Sequence, residues 1–370
     1  MILFGNQLLD PFEDSIVSDY ERLFEIFGIQ RLAPLLSSFP VPHKYLDTGL
    51  AFGHRDIERI LETIKENQPF AVMSGIKPSN QYHVGSKKIA DAVIYFQKQG
   101  GFAFYCIADI DAYEVNGIRP DDSKQTAIDN VADLLALGLD SKRAFIYRQS
   151  KCPPVHSLAF QLAGGIPMSL MRAIYGERRF GYYLSSIVQA ADILLPQTKE
   201  FSGPRPTVVP VGADQDPSIR LTRDLSVKFH GQLGFVKPSA LIFKLTRSLG
   251  QSKMSKSKSE TCLFLNEDTE TAKNKIANSM TGGQPTTHEQ RSLGGNPNSC
   301  PIYETMIYIP KTTTQDLAAL RDQCRSGRIL CGECKELCAN LFTDFLNKHQ
   351  EQKAKYVSLA QCIVEEGTCG

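Results

Sequence analysis

Apolar positions along the chain change their period twice, and the changes divide it. Near the start, Ile57, Ile60, Leu61 and Ile64 follow Gly53-His-Arg-Asp56 at i, i+3, i+4, i+7 spacing, which predicts one apolar helical stripe packed on what comes next. From Phe70 to about Phe229, short β-rich runs alternate with helical stripes: FAVM at 70–73, FAFYCI at 102–107, AFIY at 144–147 and TVVPV at 207–211. Ile89, Val93, Ile94 and Phe96 form the stripe between the first two runs, with Gly100 placed to end it; Ile128, Val131, Leu134 and Leu135 form the next, with Asp122 or Ser123 as its cap. Alternation of this kind is the mark of a parallel sheet wrapped by crossover helices, so the fold class is α/β with a Rossmann-like nucleotide fold. Beyond residue 263 helical patterns dominate, with Leu337, Leu341, Phe342, Phe345 and Leu346 on one face. The stretch 281–301, rich in Gly, Pro, Asn and Ser, reads as a connection. The expected division is an N-terminal helical extension (1–69), a Rossmann-like catalytic domain (70–262) and a helical C-terminal domain (263–370).

Composition narrows the function classes. At 370 residues, 42% hydrophobic and 22% charged, the chain is longer than one core usually organises. Its 41 Lys+Arg against 40 Asp+Glu exclude nucleic-acid binding through overall positive potential, so an RNA partner would have to meet a local patch. No apolar run approaches the roughly 20 residues of a membrane span. The N-terminus turns acidic where a signal peptide would be basic, so a cytoplasmic protein is expected. In that compartment ten cysteines are not expected to form a disulfide framework. Cys106, Cys152 and Cys262, scattered on apolar segments, read as small buried hydrophobes, whereas the closely spaced ones invite a metal reading.

Three segments carry chemistry. Directly after the first strand comes Ser74-Gly-Ile-Lys-Pro-Ser-Asn-Gln-Tyr-His-Val-Gly-Ser86, in which Gly75 and Pro78 shape a turn. There Gly85 would let a phosphate approach a helix start, and His83 adds an imidazole donor. The second is Lys253-Met-Ser-Lys-Ser257, whose lysines sit in a Ser-rich loop able to close over a triphosphate and neutralise a departing pyrophosphate. The third is Cys300-x23-Cys324-x6-Cys331-x2-Cys334, four soft ligands suited to tetrahedral zinc or an iron–sulfur cubane. Reduced thiols packed among helices would give the same string.

The pair H-V-G-S and K-M-S-K-S resembles the two signatures of class I aminoacyl-tRNA synthetases. Val208-Val-Pro-Val-Gly-Ala-Asp-Gln-Asp216, Leu221-Thr-Arg-Asp224 and Gln189-Ala-Ala-Asp-Ile-Leu194 look like the tryptophanyl branch over roughly residues 15 to 350. Gly53-His-Arg-Asp56 is similar to archaeal and eukaryotic forms, the A-A-D-I-L-L run to bacterial ones.

The resemblance implies activation of L-tryptophan by Mg2+–ATP and transfer to the 2′-hydroxyl of the terminal adenosine of tRNA(Trp) by a homodimer. It gives His83, Gly85, Ser86, Lys253 and Lys256 the catalytic positions, with Ser86 a departure from the histidine usual there. Ser74, Gly75, Pro78, Gly212, Asp214, Gln215, Met254 and Ser255 would line the ATP site. Asp192 would accept the indole N–H and Gln189 reach the polar end of the amino acid. Asp109 and Asp111, at the end of the FAFYCI run, suit either the substrate ammonium or a loop-facing carboxylate pair, and Met73, Cys106 and Ser185 stand at pocket positions where family members differ. A subset of the family carries a [4Fe–4S] cluster on a spacing close to that of the four cysteines, in the domain that reads the anticodon; zinc is the alternative. Two rivals are a tyrosyl-tRNA synthetase, since Gln189 and Asp192 would also suit a phenol, and an RNA-binding paralogue without charging activity. The second should have lost His83, Gly85, Lys253 or Lys256, and all four are present.

Overall fold

The structure, a computed structural model, describes residues 20–250, 252–255 and 258–366. Seven strands, β1 (Gln30–Arg31), β2 (Ala51–Arg55), β3 (Ala71–Ile76), β4 (Phe102–Ile107), β5 (Ala144–Arg148), β6 (Thr207–Gly212) and β7 (Ser239–Phe243), form one sheet in the order β1-β2-β7-β6-β3-β4-β5. From β7 to β5 all pairs are parallel, while β2 and β1 add an antiparallel edge. The four expected strands are those that carry buried apolar runs. β7 (SALIF) is as fully buried but was not anticipated, and the region before residue 70 contributes two strands as well as helices. β2 runs through Gly53, His54 and Arg55 with few β-formers, so its pairing with β7 and β1 makes it a strand.

Successive strands run outward in opposite directions from β3: β4 and β5 to one side, β6 and β7 to the other. The crevice at the carboxyl ends of β3 and β6 is therefore the switch point at which doubly wound sheets bind ligands.

The predicted crossover helices are present at Val84–Lys98 and Lys124–Ala136. Gly100, at φ +104°, turns the chain after the first. Ser123 occupies the cap position of the second, but its hydroxyl donates to the Pro120 carbonyl, and Asp122 pairs with Arg119 instead. The stretch 281–301 is more structured than a connection: Thr286 and Glu289 form a capping box that starts a helix over Thr287–Leu293. The last helix, Cys331–Glu366, buries Cys338, Phe342 and Leu346, whereas Leu337 stays exposed, so its apolar face is turned slightly from the expected one.

That helix packs along Lys124–Ala136, and its buried side chains share one apolar cluster with Val131, Leu134 and Leu135. Inside the contact Asp133 accepts from His349 (2.8 Å), Asn266 (2.8 Å) and Lys353 (3.2 Å). Full burial leaves the Asp133 carboxylate dependent on these donors, because an unpaired buried charge is strongly destabilising.

Candidate active site

A cavity of about 750 Å³ opens at the switch point. Strand ends supply one part of its wall: Met73, Ser74 and Gly75 from β3, Cys106 from β4 and Gly212 from β6. Gly75 lies where β3 approaches β4 most closely, since a Cβ there would sit 2.6 Å from the Cys106 carbonyl oxygen. Its role is thus close strand packing as much as ligand access.

His83 is the cap residue of Val84–Lys98, and its Nδ1 accepts the Ser86 N–H at 3.1 Å. An acceptor Nδ1 places the proton of the neutral ring on Nε2, which makes that nitrogen the donor the sequence called for. Gly85 permits the arrangement: a Cβ at this position would lie 2.8 Å from the His83 ring. The helix start itself is less open than expected. Val84 N–H bonds Leu263 O, Ser86 N–H bonds His83, and Lys87 N–H bonds His83 O, which leaves the Gly85 N–H as the first-turn donor available to an anion.

The lysine loop is pinned to the segment after β7, with the Met254 N–H on Thr246 O at 2.7 Å and the Ser248 N–H on Ser252 O at 2.6 Å. This brings Lys253 Nζ to 3.2 Å from Asp214 Oδ2. Lys253, Met254, Ser255, Asp214 and Gln215 all line the cavity; Lys256 lies outside the described residues.

The other chemical end is built on the helix Phe180–Leu194. Asp192 is buried and receives the Tyr147 hydroxyl at 2.7 Å and the Gln149 amide at 2.6 Å. Desolvation raises its carboxyl to about 7, against the pull of hydrogen bonds from Gln149, Tyr147 and the Cys106 thiol, with Asp111 adding repulsion. Gln189 donates to Gln215 at 2.9 Å, linking this helix to the turn after β6. Asp111 accepts from Ser185 (2.6 Å) and pairs with Lys77 (2.8 Å) at the cavity wall.

Three expected members among the described residues, Asp109, Pro78 and Ser185, are absent from the lining. Asp109 is fully buried and committed to the Arg148 guanidinium (2.9 Å) and to Ser150, so it fixes β5 and the following turn instead of reaching a substrate ammonium. Pro78 shapes its turn without lining the cavity. In turn, sequence reasoning missed Tyr147 and Gln149, the partners of Asp192, along with Lys77 and Lys88. Lys88 is buried in the wall, donates to the Lys244 carbonyl and is brought down to about 8 by desolvation. The signal for the first two was their place at the end of the AFIY run, where parallel strands deliver site residues.

Residues 65–347 match the family described as tRNA synthetases class I (W and Y). Tryptophan–tRNA ligases of Hyperthermus butylicus and Methanocaldococcus jannaschii are 40% and 37% identical to the chain, which aligns over 93% and 96% of its length and covers 94% and 98% of theirs. The chain belongs to the tryptophanyl-tRNA synthetase family. The crystal structure of tryptophanyl-tRNA synthetase from Aeropyrum pernix K1 superposes with a TM-score of 0.89 at 37% identity, covering 96% of this chain and 99% of that one. The synthetase from Giardia lamblia keeps the fold at 21% identity, with a TM-score of 0.83.

Outside the synthetase cavity, Cys300 before the helix Pro301–Tyr308, Cys324 in the helix Thr314–Arg325, and Cys331 and Cys334 at the start of the last helix line one small chamber with Gly282, Gly283, Gln290 and Ile302. Glycines stand where the thiols press closest: a Cβ at Gly283, in the lining, would meet Cys331 Sγ at 2.3 Å, and one at Gly295, beside it, would meet Cys324 Sγ at 3.0 Å. The space left is about 20 Å³, room for about one water. Among the described residues no group of three or more His, Cys, Asp or Glu side chains is arranged to hold a metal ion. No helix of the described residues is long and apolar enough to cross a membrane.

Proposed function

We propose that the chain activates L-tryptophan with ATP and transfers it to the terminal adenosine of tRNA(Trp). The observation that carries this reading is the buried Asp192, held by Tyr147 and Gln149 in the same cavity as His83 and Lys253. A buried carboxylate with one direction left to accept rewards a substrate that brings an N–H and penalises one that does not.

Tryptophan's carboxylate attacks the α-phosphate of ATP, forming the acyl–phosphate bond as pyrophosphate departs. His83 Nε2–H and the Gly85 N–H are the donors on one side, and Lys253 with Lys256 the cations on the other. The Mg2+ that accompanies ATP adds charge neutralisation on the phosphates. Positioning and electrostatics suffice, with no covalent protein nucleophile. Pyrophosphate exchange measured with each of the twenty amino acids tests the assignment: exchange with tryptophan alone supports it, and exchange with tyrosine alone would overturn it.

Acid should weaken the site. An indole N–H favours the ionised form of Asp192, and that carboxyl titrates near 7 in the unliganded protein. The kcat/KM for tryptophan is therefore expected to fall about tenfold per pH unit below that value, with the descending limb absent in Asp192→Asn. The same shift acts on the fold with opposite sign: stability present at low pH is lost as pH rises from the ordinary 3.8 through about 7. Opposed pH trends in activity and in thermal stability are the combined signature.

We further infer that residues 263–370 face the tRNA and that the four cysteines hold a [4Fe–4S] cluster. In support, the four cysteines keep the spacing described above and stand around one chamber. Such a cluster would be held by Cys300, Cys324, Cys331 and Cys334 and would supply a rigid cross-link between the segments that carry them. Cys331→Ser is expected to reduce tRNA charging far more than pyrophosphate exchange; equal loss of both would refute this separation of roles. A second copy of the chain is the proposed cover for Phe160 and Phe180, which are 85% and 66% exposed on adjoining helices.

A further inference from the structure

The wall of the active-site cavity holds a buried lysine in addition to those of the signature loop. Lys88 is 3% exposed on the helix Val84–Lys98, and it lines the same cavity as Gly85, Thr246 and Lys253. A helical side chain leans over the turn before it, so Lys88 runs back past Gly85, three residues earlier. There its Nζ donates to the carbonyl of Lys244, the residue that follows β7. An ammonium has three N–H donors, and among the described residues this carbonyl is the one acceptor within hydrogen-bond reach.

The charges around Lys88 leave room for an anion. Asp214, in the turn after β6, and Glu304, on the helix Pro301–Tyr308, favour its charged form from a distance. Both are already engaged: Asp214 pairs with Lys253 at 3.2 Å, and Glu304 accepts the Arg247 N–H at 3.0 Å and the Tyr308 hydroxyl at 2.7 Å. The Lys244 ammonium lies over the Tyr20 ring, and on the helix itself Lys87 pairs with Asp91 while His83 accepts the Ser86 N–H. With no carboxylate in ion-pair contact, burial dominates and brings the Lys88 ammonium down to about 8. A buried cation without a counter-ion destabilises the fold, and a phosphate entering this cavity supplies one.

We propose that Lys88 is a further ATP-binding residue, a fixed cation that holds a phosphate from the helix side of the cavity. The assignment rests on the reading that this cavity takes ATP. Because the side chain is buried and tied to the Lys244 carbonyl, it meets the ground state and the transition state alike. Uniform binding of that kind lowers the KM for ATP and leaves turnover alone, the reverse of the role given to Lys253. The charged form is the one that binds, so affinity for ATP falls as pH rises through about 8, and binding at that pH draws in a proton.

The test uses the full chain and Mg2+–ATP without tryptophan. Calorimetry at pH 8 in buffers of different ionisation enthalpy is expected to show uptake of about half a proton per chain, since Lys88 is about half charged beforehand. Lys88→Met, which keeps the length and removes the charge, should abolish that uptake. In tryptophan-dependent pyrophosphate exchange the same variant should raise the KM for ATP roughly ten- to a hundredfold, the size of one charge-assisted hydrogen bond, with turnover kept within about twofold. Should Lys88→Met not fold, Lys88→Gln, which retains a donor for the Lys244 carbonyl, takes its place. If the unmodified chain binds ATP without proton uptake, or the variant keeps both the uptake and the KM, Lys88 is structural and the ATP reading stands. A fall in turnover at unchanged KM likewise overturns a ground-state role. If the unmodified chain neither binds ATP nor catalyses exchange, the ATP reading fails and this assignment falls with it.

Discussion

Alanine at Lys253 will lower the turnover of adenylate formation about 10²- to 10³-fold, the size expected for one positioned charge that acts on the transition state. The structure explains why turnover should suffer more than binding. Lys253 stands 3.2 Å from Asp214, on a loop held by the Met254–Thr246 and Ser252–Ser248 backbone bonds, so its ammonium already lies against the cavity without nucleotide. Bound phosphates compete for it with a carboxylate, and its net contribution grows only as charge accumulates on departing pyrophosphate. Lys256→Ala should behave alike. Pre-steady-state measurement of adenylate formation at saturating ATP and tryptophan checks both, and a variant with unchanged turnover but a raised KM for ATP would assign the loop to ground-state binding. Asp214→Asn in the Lys253→Ala background separates the loss of the cation from the release of Asp214: no recovery is expected if the cation itself matters.

Asparagine at Asp192 will reduce the preference for tryptophan over amino acids that lack a ring N–H by about 1–3 kcal/mol, close to tenfold in specificity for each 1.4 kcal/mol. Both carboxylate oxygens of Asp192 already serve protein donors, Tyr147 on one and Gln149 on the other. Asparagine turns one of those oxygens into an N–H2 that confronts a donor, and the Gln149 amide can relieve the conflict by rotating to accept. The acceptor offered to indole is then a neutral carbonyl, weaker than an ionised one. Competition kinetics with tryptophan and phenylalanine give the ratio of kcat/KM directly, and an unchanged ratio would remove Asp192 from the list of selectivity residues.

Legibility of the chain followed the range of the forces involved. Strands β3 to β6 and the helices Val84–Lys98 and Lys124–Ala136 announce themselves because each buries a continuous apolar run or a single stripe, a property of neighbouring residues. The edge pair β1 and β2 does not, since Gly53, His54 and Arg55 become a strand through pairing with β1 and with β7, the latter far along the chain. The site divides similarly. His83 and Lys253 lie in short contiguous signatures and were visible, as was the family whose signatures they are. Asp109 and Asp111 look equivalent in the sequence, yet one is committed to Arg148 and the other faces the cavity through Ser185 and Lys77. That difference depends on where β5 places Arg148, which spacing alone does not encode. Tyr147 and Gln149 were missed for the same reason, because their meaning comes from Asp192 on a distant helix. The four cysteines were visible as a spacing, whereas the chamber they share depends on how three helices pack.

The shared apolar cluster between Lys124–Ala136 and the last helix has an engineering consequence. A chain cut after its signature loop would expose Val131, Leu134 and Leu135 to water and leave Asp133 without His349 and Lys353. Modular exchange of C-terminal segments with relatives must therefore carry across the whole seam along Lys124–Ala136. The two parts would be heritable as a unit, and a graft placed at residue 262 would join surfaces that were never shaped for each other.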